Sequence, residues 1–295
     1  MTIGGARFLY PDQLVSTGWL AANLDDPNLR IFDCTTYLIY ETGTGRPYRV
    51  ESGRADYVIG HIPRSAFLDL QGELSNPTAK TNFMMLPFEV LAARFSEKGI
   101  DENARVILYS HKATQWATRV WWMLRSIGFD NAAILDGGFD KWAAEKRPIS
   151  TTPHTYVPTK LAARPRPELF VGKEEMKAAI GNAGVCSINA LAPDLHSGAN
   201  DRYGRLGRIP GSVNVPATTL QDKSTLALLQ PDQVAPIFDK VGADKSKRIL
   251  IYCGGGIAAT LDAYLLHQLG YKNIAVYDAS MSEWAKDPSL PIEVD

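Results

Sequence analysis

The sequence is poor in cysteine and lacks any long apolar run. Its 295 residues include only Cys34, Cys186 and Cys253, an odd set too sparse for a disulfide framework, so a reducing cytoplasmic location is expected. No apolar run approaches the roughly 20 residues that cross a bilayer. The N-terminus lacks the basic flank, apolar centre and cleavage site of a signal peptide. No Cys-x-x-Cys or His-x-x-x-His spacing indicates a metal site.

The chain also carries little net charge. Lys and Arg number 31 and Asp and Glu number 32, which gives a net charge of -1. Nucleic acid and anionic membranes are therefore not expected as partners. Hydrophobic residues make up 45% of the chain and charged residues 21%, as in globular proteins with a real core. The length predicts about two domains of roughly 150 residues each.

What the sequence does contain is one internal repeat, with a period near half its length. The segment that begins "RVILYS" is matched by a later one that begins "RILIYC", and the matches keep the same order in both halves. The aligned pairs are Tyr109 with Tyr252, Asp136 with Asp278, and Trp142 with Trp284. Several ordered matches of this kind indicate a duplication.

Each half reads as alternating strands and helices. Short apolar runs such as "RVILYS" are typical of buried strands, and "TRVWWMLRSIGF" has helical spacing and ends near a glycine. This order predicts an α/β protein with tandem domains, each a parallel sheet flanked by helices. A proline-rich segment separates the halves, so we predict an N-terminal domain at 1–154, an extended linker at 155–166 and a C-terminal domain at 167–295.

Cys253 stands where a predicted strand ends and a predicted helix begins near Ala258. In α/β proteins this turn is where ligands are held. Gly254, Gly255 and Gly256 let the backbone curl, so that successive N–H groups form an anion-binding nest at the positive end of the helix. Both effects favour the thiolate, which is the nucleophilic form. We therefore predict that Cys253 is a catalytic nucleophile.

Cysteine-dependent phosphatases share this geometry but place an arginine six residues after the cysteine. Here that position is Ala259, and no guanidinium is available for bidentate phosphate binding. Phosphatase activity is therefore not expected. Cys34 and Cys186 lack a glycine loop, and we interpret them as inert.

The motifs together resemble the two-domain rhodanese-like sulfurtransferases, which include thiosulfate and 3-mercaptopyruvate sulfurtransferases. The resemblance runs through "LVSTGWLAANL", "GHIPRSAFLDL", "LDGGFDKW" and "GRIPGSVN" to "YCGGGIAAT" and covers nearly the whole chain. It implies that only the C-terminal domain is catalytic, and Ser110 indeed stands where the second half has Cys253.

The resemblance also implies a two-step reaction. Cysteine takes a sulfane sulfur from a donor, becomes a persulfide, and passes the sulfur to cyanide, a small thiol or thioredoxin. The loop amides of Gly254, Gly255, Gly256, Ile257 and Ala258 would stabilise the persulfide. No metal or organic cofactor is implied.

The resemblance favours 3-mercaptopyruvate as donor, with thiosulfate as the alternative, because mercaptopyruvate enzymes of the family tend to have a neutral loop and "CGGGIAA" is neutral. Gly255 replaces a serine to which the family assigns a proton relay. Asp69 matches a family aspartate of the same relay and is a candidate catalytic residue; a cap or loop carboxylate is the structural alternative.

Two family arginines that hold the anionic substrate correspond to Leu191 and Leu195. We therefore predict that Arg202, helped by Arg205 and Arg208, binds the donor. The alternative for all three is solvated loop charge.

Two further interpretations stay open at this level. The chain could accept sulfur from another protein as a persulfide carrier. It could also be a non-enzymatic rhodanese-like binding module, although the presence of Cys253 argues against this.

Overall fold

The two halves of the repeat fold into the same order of strands and helices in a computed structural model, which describes residues 7–40 and 46–295. The first half contains β1 (Leu14–Val15), α1 (Thr17–Asn23), β2 (Leu29–Asp33), β3 (Thr36–Ile39), β4 (Arg49–Ser52), α2 (Arg54–Ile59), β5 (Ser65–Phe67), α3 (Phe88–Glu97), β6 (Arg105–Tyr109), α4 (Gln115–Ser126), β7 (Ala132–Leu135) and α5 (Gly138–Ala144). The second half contains β8 (Phe170–Val171), α6 (Lys173–Ala179), β9 (Val185–Asn189), α7 (Pro193–Ser197), β10 (Val213–Asn214), α8 (Pro231–Lys240), β11 (Arg248–Tyr252), α9 (Ala259–Gln268), β12 (Ile274–Tyr277) and α10 (Ser280–Trp284).

Each half builds one parallel sheet. The strand orders are β1-β7-β6-β2-β5 and β10-β9-β11-β12-β8, and all neighbouring strands in both sheets run parallel. Helices connect the strands, because parallel neighbours need a crossover rather than a tight turn. The predicted fold class, tandem α/β domains with parallel sheets flanked by helices, is confirmed.

An antiparallel hairpin in the first half was not predicted. Strand β3 pairs with β4 in a register that joins Thr36 to Ser52 and Ile39 to Arg49. In the described part of the second half no equivalent hairpin is present. The hairpin carries Tyr48 just before its second strand, and this residue reaches the other domain.

The predicted linker, residues 155–166, contains no helix or strand and runs along the N-terminal domain. Within it, the amide of Thr159 donates to the carbonyl of Ser96 (2.9 Å) and the amide of Arg164 to the carbonyl of Ile127 (2.7 Å). Gly128, just after α4, has φ +85°, and a Cβ there would lie 2.6 Å from Arg164 Cβ. The segment is extended, as predicted, but it is bound to the domain that it leaves.

Helices α4 and α9, which are equivalent in the repeat, pack against each other and join the domains. All ten residues of α9 and ten of the twelve in α4 are buried, as expected for helices enclosed on every side. The rings of Trp121 and Tyr264 are nearly perpendicular, with 4.9 Å between their centroids. The hydroxyl oxygens of Thr118 and Thr260 are 2.9 Å apart. One apolar core therefore continues from the first domain into the second. Across residues 7–40 and 46–295, no helix combines the length and hydropathy needed to cross a membrane.

One buried carboxyl group within α9, that of Asp262, lacks a partner in the described chain. Asp262 is 0% exposed, and neither of its carboxylate oxygens has a hydrogen-bond partner in the described chain. Burial raises the pKa of this carboxyl well above its ordinary value, because the charged form loses its hydration. Its counterpart in α4 is the buried, apolar Val120.

We predict that Asp262→Val raises the free energy of unfolding by about 1–3 kcal/mol at pH 7, because it removes an unsatisfied buried polar group. The raised folded-state pKa adds a pH-dependent cost. This cost is absent at pH values below about 4, the unfolded value, and grows as the pH rises toward the folded-state pKa. Urea unfolding at pH 4 and pH 7 should therefore show a gain that grows with pH. Asp262→Asn, which removes the charge but keeps the polar atoms, should recover only part of it. A variant less stable than the parent at pH 7 would show that the carboxylate is stabilising.

Candidate active site

Cys253 follows β11 directly, at the carboxyl end of the central strand of the second sheet. The loop 254–258 separates it from α9, which begins at Ala259 with Ala258 as its N-cap. The cysteine is 2% exposed. The cysteine, the glycine run and the helix N-terminus thus lie where the sequence predicted them.

The three glycines of the loop are required by what surrounds them. A Cβ on Gly254 would overlap the hydroxyl of Tyr203, and one on Gly255 would lie 2.8 Å from the hydroxyl of Tyr48. Gly256 has φ +71°, and a Cβ there would lie 2.5 Å from the carbonyl oxygen of Asp278. Two tyrosines therefore occupy the space that side chains at 254 and 255 would fill.

Ser280 fixes the start and the middle of the loop. Its Oγ accepts hydrogen bonds from the amides of Cys253 (3.0 Å) and Gly256 (3.2 Å) and donates to the carbonyl of Tyr277 (2.7 Å). Its backbone is left-handed, with φ +51°, a conformation that costs a non-glycine residue on the order of 1 kcal/mol. Strain of this size persists where the surrounding structure determines it, often at functional sites.

This arrangement divides the loop amides into two groups. The amide of Gly256 is bound to Ser280, so it does not face an anion as the sequence analysis expected. The amides of Gly254, Gly255, Ile257 and Ala258 have no acceptor among the described residues. These four, at the N-terminal end of α9, are available to an anion.

Arg119 of the N-terminal domain binds the loop that follows Cys253 from the other side. This side chain is 0% exposed and donates to the carbonyl oxygens of Gly256 (3.1 Å) and Phe83 (2.6 Å) and to the carboxylate of Asp278 (2.7 Å). The C=O and N–H of a trans peptide point in opposite directions. Arg119 therefore turns the amide of Ile257 away from itself, toward the inside of the loop.

The hydroxyls of Tyr48 and Tyr203 face the loop that follows Cys253. Burial raises the pKa of Tyr48 to about 12, and burial together with the nearby Cys253 raises the pKa of Tyr203 well above its usual value. Both side chains are therefore protonated near neutral pH and can donate a hydrogen bond to an anion. The ring of Tyr40 lies edge-on to that of Tyr48, with 6.4 Å between centroids.

The three predicted arginines lie in different surroundings. The guanidinium of Arg202 stacks on the ring of Tyr40, 4.1 Å from its centroid, and its charge lowers the pKa of Tyr203 against the larger effect of burial. Arg202 is therefore next to the tyrosines that surround Cys253.

Arg205 and Arg208 instead hold the C-terminal segment. Arg205 donates to the carbonyls of Asp287 and Leu290, at 3.0 Å each. Arg208 pairs with the carboxylates of Glu293 and Asp295. Their guanidinium groups bind this segment, and no contact with the surroundings of Cys253 is seen for either in the described chain. A substrate-binding role for Arg205 and Arg208 stays a prediction.

Asp69 lies in a turn of its own. Its Oδ1 accepts from the amide of Gly72 (2.9 Å), and its carbonyl accepts from the amide of Glu73 (2.9 Å). In the described chain, all its hydrogen bonds lie within residues 69–74. This is the capping role considered as the alternative, and a catalytic role for Asp69 remains a prediction.

Leu191 and Leu195 pack against the apolar core, so the positions of the two missing arginines are occupied by apolar packing. The sequence analysis missed Tyr48, Tyr203 and Ser280, which follow no motif. Arg119 could have been found from the sequence, because the equivalent position in the second half of the repeat is the apolar Leu261. An arginine in a helix that is otherwise apolar at this position indicates a specific role.

Comparisons with known proteins point to one family over most of the chain. The family model of the rhodanese-like domain matches residues 16–145 and 195–287. A thiosulfate/3-mercaptopyruvate sulfurtransferase from Arabidopsis thaliana, described as mitochondrial, is 30% identical over 96% of this chain and 78% of its own length. The 3-mercaptopyruvate sulfurtransferase of Escherichia coli K12 is 29% identical over 95% of this chain and 97% of its own.

The crystal structure of SseA from Escherichia coli, described as a 3-mercaptopyruvate sulfotransferase with the rhodanese fold, superposes with a TM-score of 0.78 at 28% identity. The superposition covers 91% of this chain and 98% of that one.

The pair formed by Arg119 and Asp278 can be tested by stability. Arg119→Met leaves a buried carboxylate without its cation, and we expect it to lower the free energy of unfolding by about 3–5 kcal/mol. The double variant Arg119→Met/Asp278→Asn should lose less than the sum of the single losses. Urea unfolding of the four proteins measures this. A loss below about 1 kcal/mol for Arg119→Met, the size seen for exposed pairs, would contradict the assignment.

Proposed function

The chain belongs to the rhodanese-like domain family and is a sulfurtransferase, and we propose that Cys253 is its sulfur carrier. A sulfane sulfur passes from a small anionic donor to Cys253 and then to a thiol or to cyanide. The proposal favours 3-mercaptopyruvate as the donor, with thiosulfate as the alternative. The C-terminal domain carries the chemistry, and the N-terminal domain contributes side chains to the site.

The observation that carries the proposal is the group of four open amides at the N-terminus of α9 beside Cys253. The other two cysteines have the opposite environment. Burial raises the pKa of Cys34 well above its usual value and also raises that of Cys186. Desolvation favours the neutral thiol, so neither is suited to act as the nucleophile.

In the donor step, the Cys253 thiolate attacks the sulfur of 3-mercaptopyruvate. A bond forms between the two sulfur atoms, the carbon–sulfur bond breaks, and its electron pair leaves on the pyruvate enolate. Protonation of the enolate gives pyruvate, and the enzyme holds a persulfide. With thiosulfate, the sulfur–sulfur bond of the donor breaks instead, and sulfite leaves with the electron pair.

The pyruvate enolate needs a proton on carbon, whereas sulfite does not. We propose that Tyr48 donates this proton. Its hydroxyl lies beside Gly255, where the resembling enzymes have the serine of a proton relay, and a pKa of about 12 keeps it protonated. Asp69 binds its own turn, so the proposal does not need it as the acid. Arg202 binds the donor carboxylate through a charge-assisted hydrogen bond.

In the acceptor step, a thiolate or cyanide attacks the outer sulfur of the persulfide and releases Cys253 as thiolate. Thioredoxin is a possible protein acceptor of this kind within the proposal. A reducing compartment such as the cytoplasm suits the reaction, because all three cysteines are free and the nucleophile must stay reduced.

The role of Cys253 can be tested directly. Incubation with 3-mercaptopyruvate, followed by intact mass measurement, should add the mass of one sulfur atom to the parent and to Cys34→Ser and Cys186→Ser. Cys253→Ser should gain nothing and should lose turnover, because it lacks the thiolate. Retained turnover in Cys253→Ser would exclude the mechanism. A parent that never gains sulfur from any donor would favour a binding module.

The role of Tyr48 can be tested by comparing donors. Tyr48→Phe removes the acid, and general acids typically contribute about 100-fold or more. We expect kcat with 3-mercaptopyruvate to fall about 100-fold, and kcat with thiosulfate to stay within about threefold of the parent, since sulfite leaves without a proton on carbon.

Arg202→Ala should affect both donors alike, in contrast to Tyr48→Phe, because both donors are anions. It should lower kcat/KM at least ~10-fold for each, or about 1.4 kcal/mol. Equal losses with both donors in Tyr48→Phe would mean that the hydroxyl binds rather than protonates.

A further inference from the structure

A second recess lies next to the catalytic loop, at the boundary of the two domains. It is a cavity of about 500 Å³, lined by the segment around Tyr48, by residues near Lys80, and by Ser282 and Lys286 of the C-terminal domain. Cavities of a few hundred Å³ are typical of small-molecule sites. This volume is larger than a three-carbon donor requires.

The cavity borders the catalytic loop through two of its lining residues. The hydroxyl of Tyr48 lies 2.8 Å from the position of a Cβ on Gly255. The amide of Ser282 donates to the carbonyl of Gly254 at 2.8 Å. A molecule in the cavity is thus separated from the loop by one layer of side chains.

Two lysines, Lys80 and Lys286, give the lining positive charge, and its described residues include no Asp or Glu. Arg49 pairs with Glu51 at 3.0 Å outside the lining, and the two lysines, one from each domain, are exposed. A positive recess in a chain of net charge -1 concentrates anions locally.

We propose that this cavity binds the carboxylates of an anionic thiol acceptor. The inference rests on the proposed function and adds the acceptor's chemical class. Cys253 is 2% exposed, so only a small acceptor can place its thiol next to the sulfur. Carboxylates held between Lys80 and Lys286 anchor such a molecule and raise the effective concentration of its thiol at the loop.

The sulfur transfer from the persulfide is balanced without a further reactant. The acceptor thiolate attacks the outer sulfur, a new sulfur–sulfur bond forms, and the bond to Cys253 breaks. The electron pair of that bond returns to Cys253 as thiolate, and the acceptor leaves as a persulfide. No oxidant or reductant is consumed, because one sulfur–sulfur bond replaces another.

The test uses thiols of different charge on the persulfide enzyme formed beforehand. Mercaptosuccinate carries two carboxylates, and 2-mercaptoethanol is neutral. In Lys80→Glu/Lys286→Glu, we expect the ratio of their second-order rate constants (mercaptosuccinate over 2-mercaptoethanol) to fall at least ~10-fold from the parent value, because two attractive charges become repulsive.

The matched control is Lys177→Glu/Lys272→Glu, which changes the net charge equally. Lys177 lies in the last turn of α6 and Lys272 just before β12, toward the amino ends of the strands and away from Cys253. The control should keep the parent ratio. An unchanged ratio in the cavity variant overturns the proposal. So does slower persulfide formation with an unchanged ratio, which would assign the cavity to the donor.

A binding experiment separates this inference from the proposed function. Mercaptosuccinate is titrated calorimetrically into Cys253→Ser, with and without the two cavity substitutions. Weaker binding by at least ~10-fold in the cavity variant supports the site even if no persulfide ever forms. Equal affinity, or none in either protein, overturns it.

Discussion

The site depends on one buried cation, the guanidinium of Arg119. Fully removed from water, it must be neutralised and hydrogen-bonded to be tolerated. Asp278 supplies the charge, and the carbonyls of Phe83 and Gly256 accept two further hydrogen bonds, while its Nε has no partner in the described chain. These groups belong to two domains, so the N-terminal domain contributes hydrogen bonds to the site as well as covering it. Through the carbonyl of Gly256, it orients one peptide of the loop that follows Cys253.

The duplication explains why two domains meet so closely. Asp136 and Asp278 are equivalent in the repeat, and each accepts an amide from the other domain. The amide of Leu228 donates to Asp136 and that of Met85 to Asp278, both at 2.8 Å. Such reciprocal contacts are what a two-fold related pair of domains produces. The interface therefore keeps one equivalent contact on each side, although the loops next to it differ between the domains.

How much the sequence could predict follows from the range of each interaction. Strands, helices and the loop around Cys253 were predictable, because periodicity and glycine placement act over a few neighbouring residues. The contact between the hairpin that carries Tyr48 and the loop after Cys253 was missed, because about 200 residues separate the two segments in the sequence. Arg205 and Arg208 were assigned to substrate from proximity to Arg202 in sequence. Their partners are the last residues of the chain, and no local pattern reveals such a pairing.

The clearest record of divergence is the pair of residues Gly138 and Ser280. Both occupy the same place in the repeat and both are left-handed, with φ +56° and +51°. In the first domain a Cβ at Gly138 would overlap the carbonyl oxygen of Ser110, so glycine suits the backbone. In the second, serine accepts the strain because its Oγ binds the amides of Cys253 and Gly256. A polar atom that organises a loop thus offsets a backbone cost on the order of 1 kcal/mol, and it does so only in the domain whose loop follows Cys253.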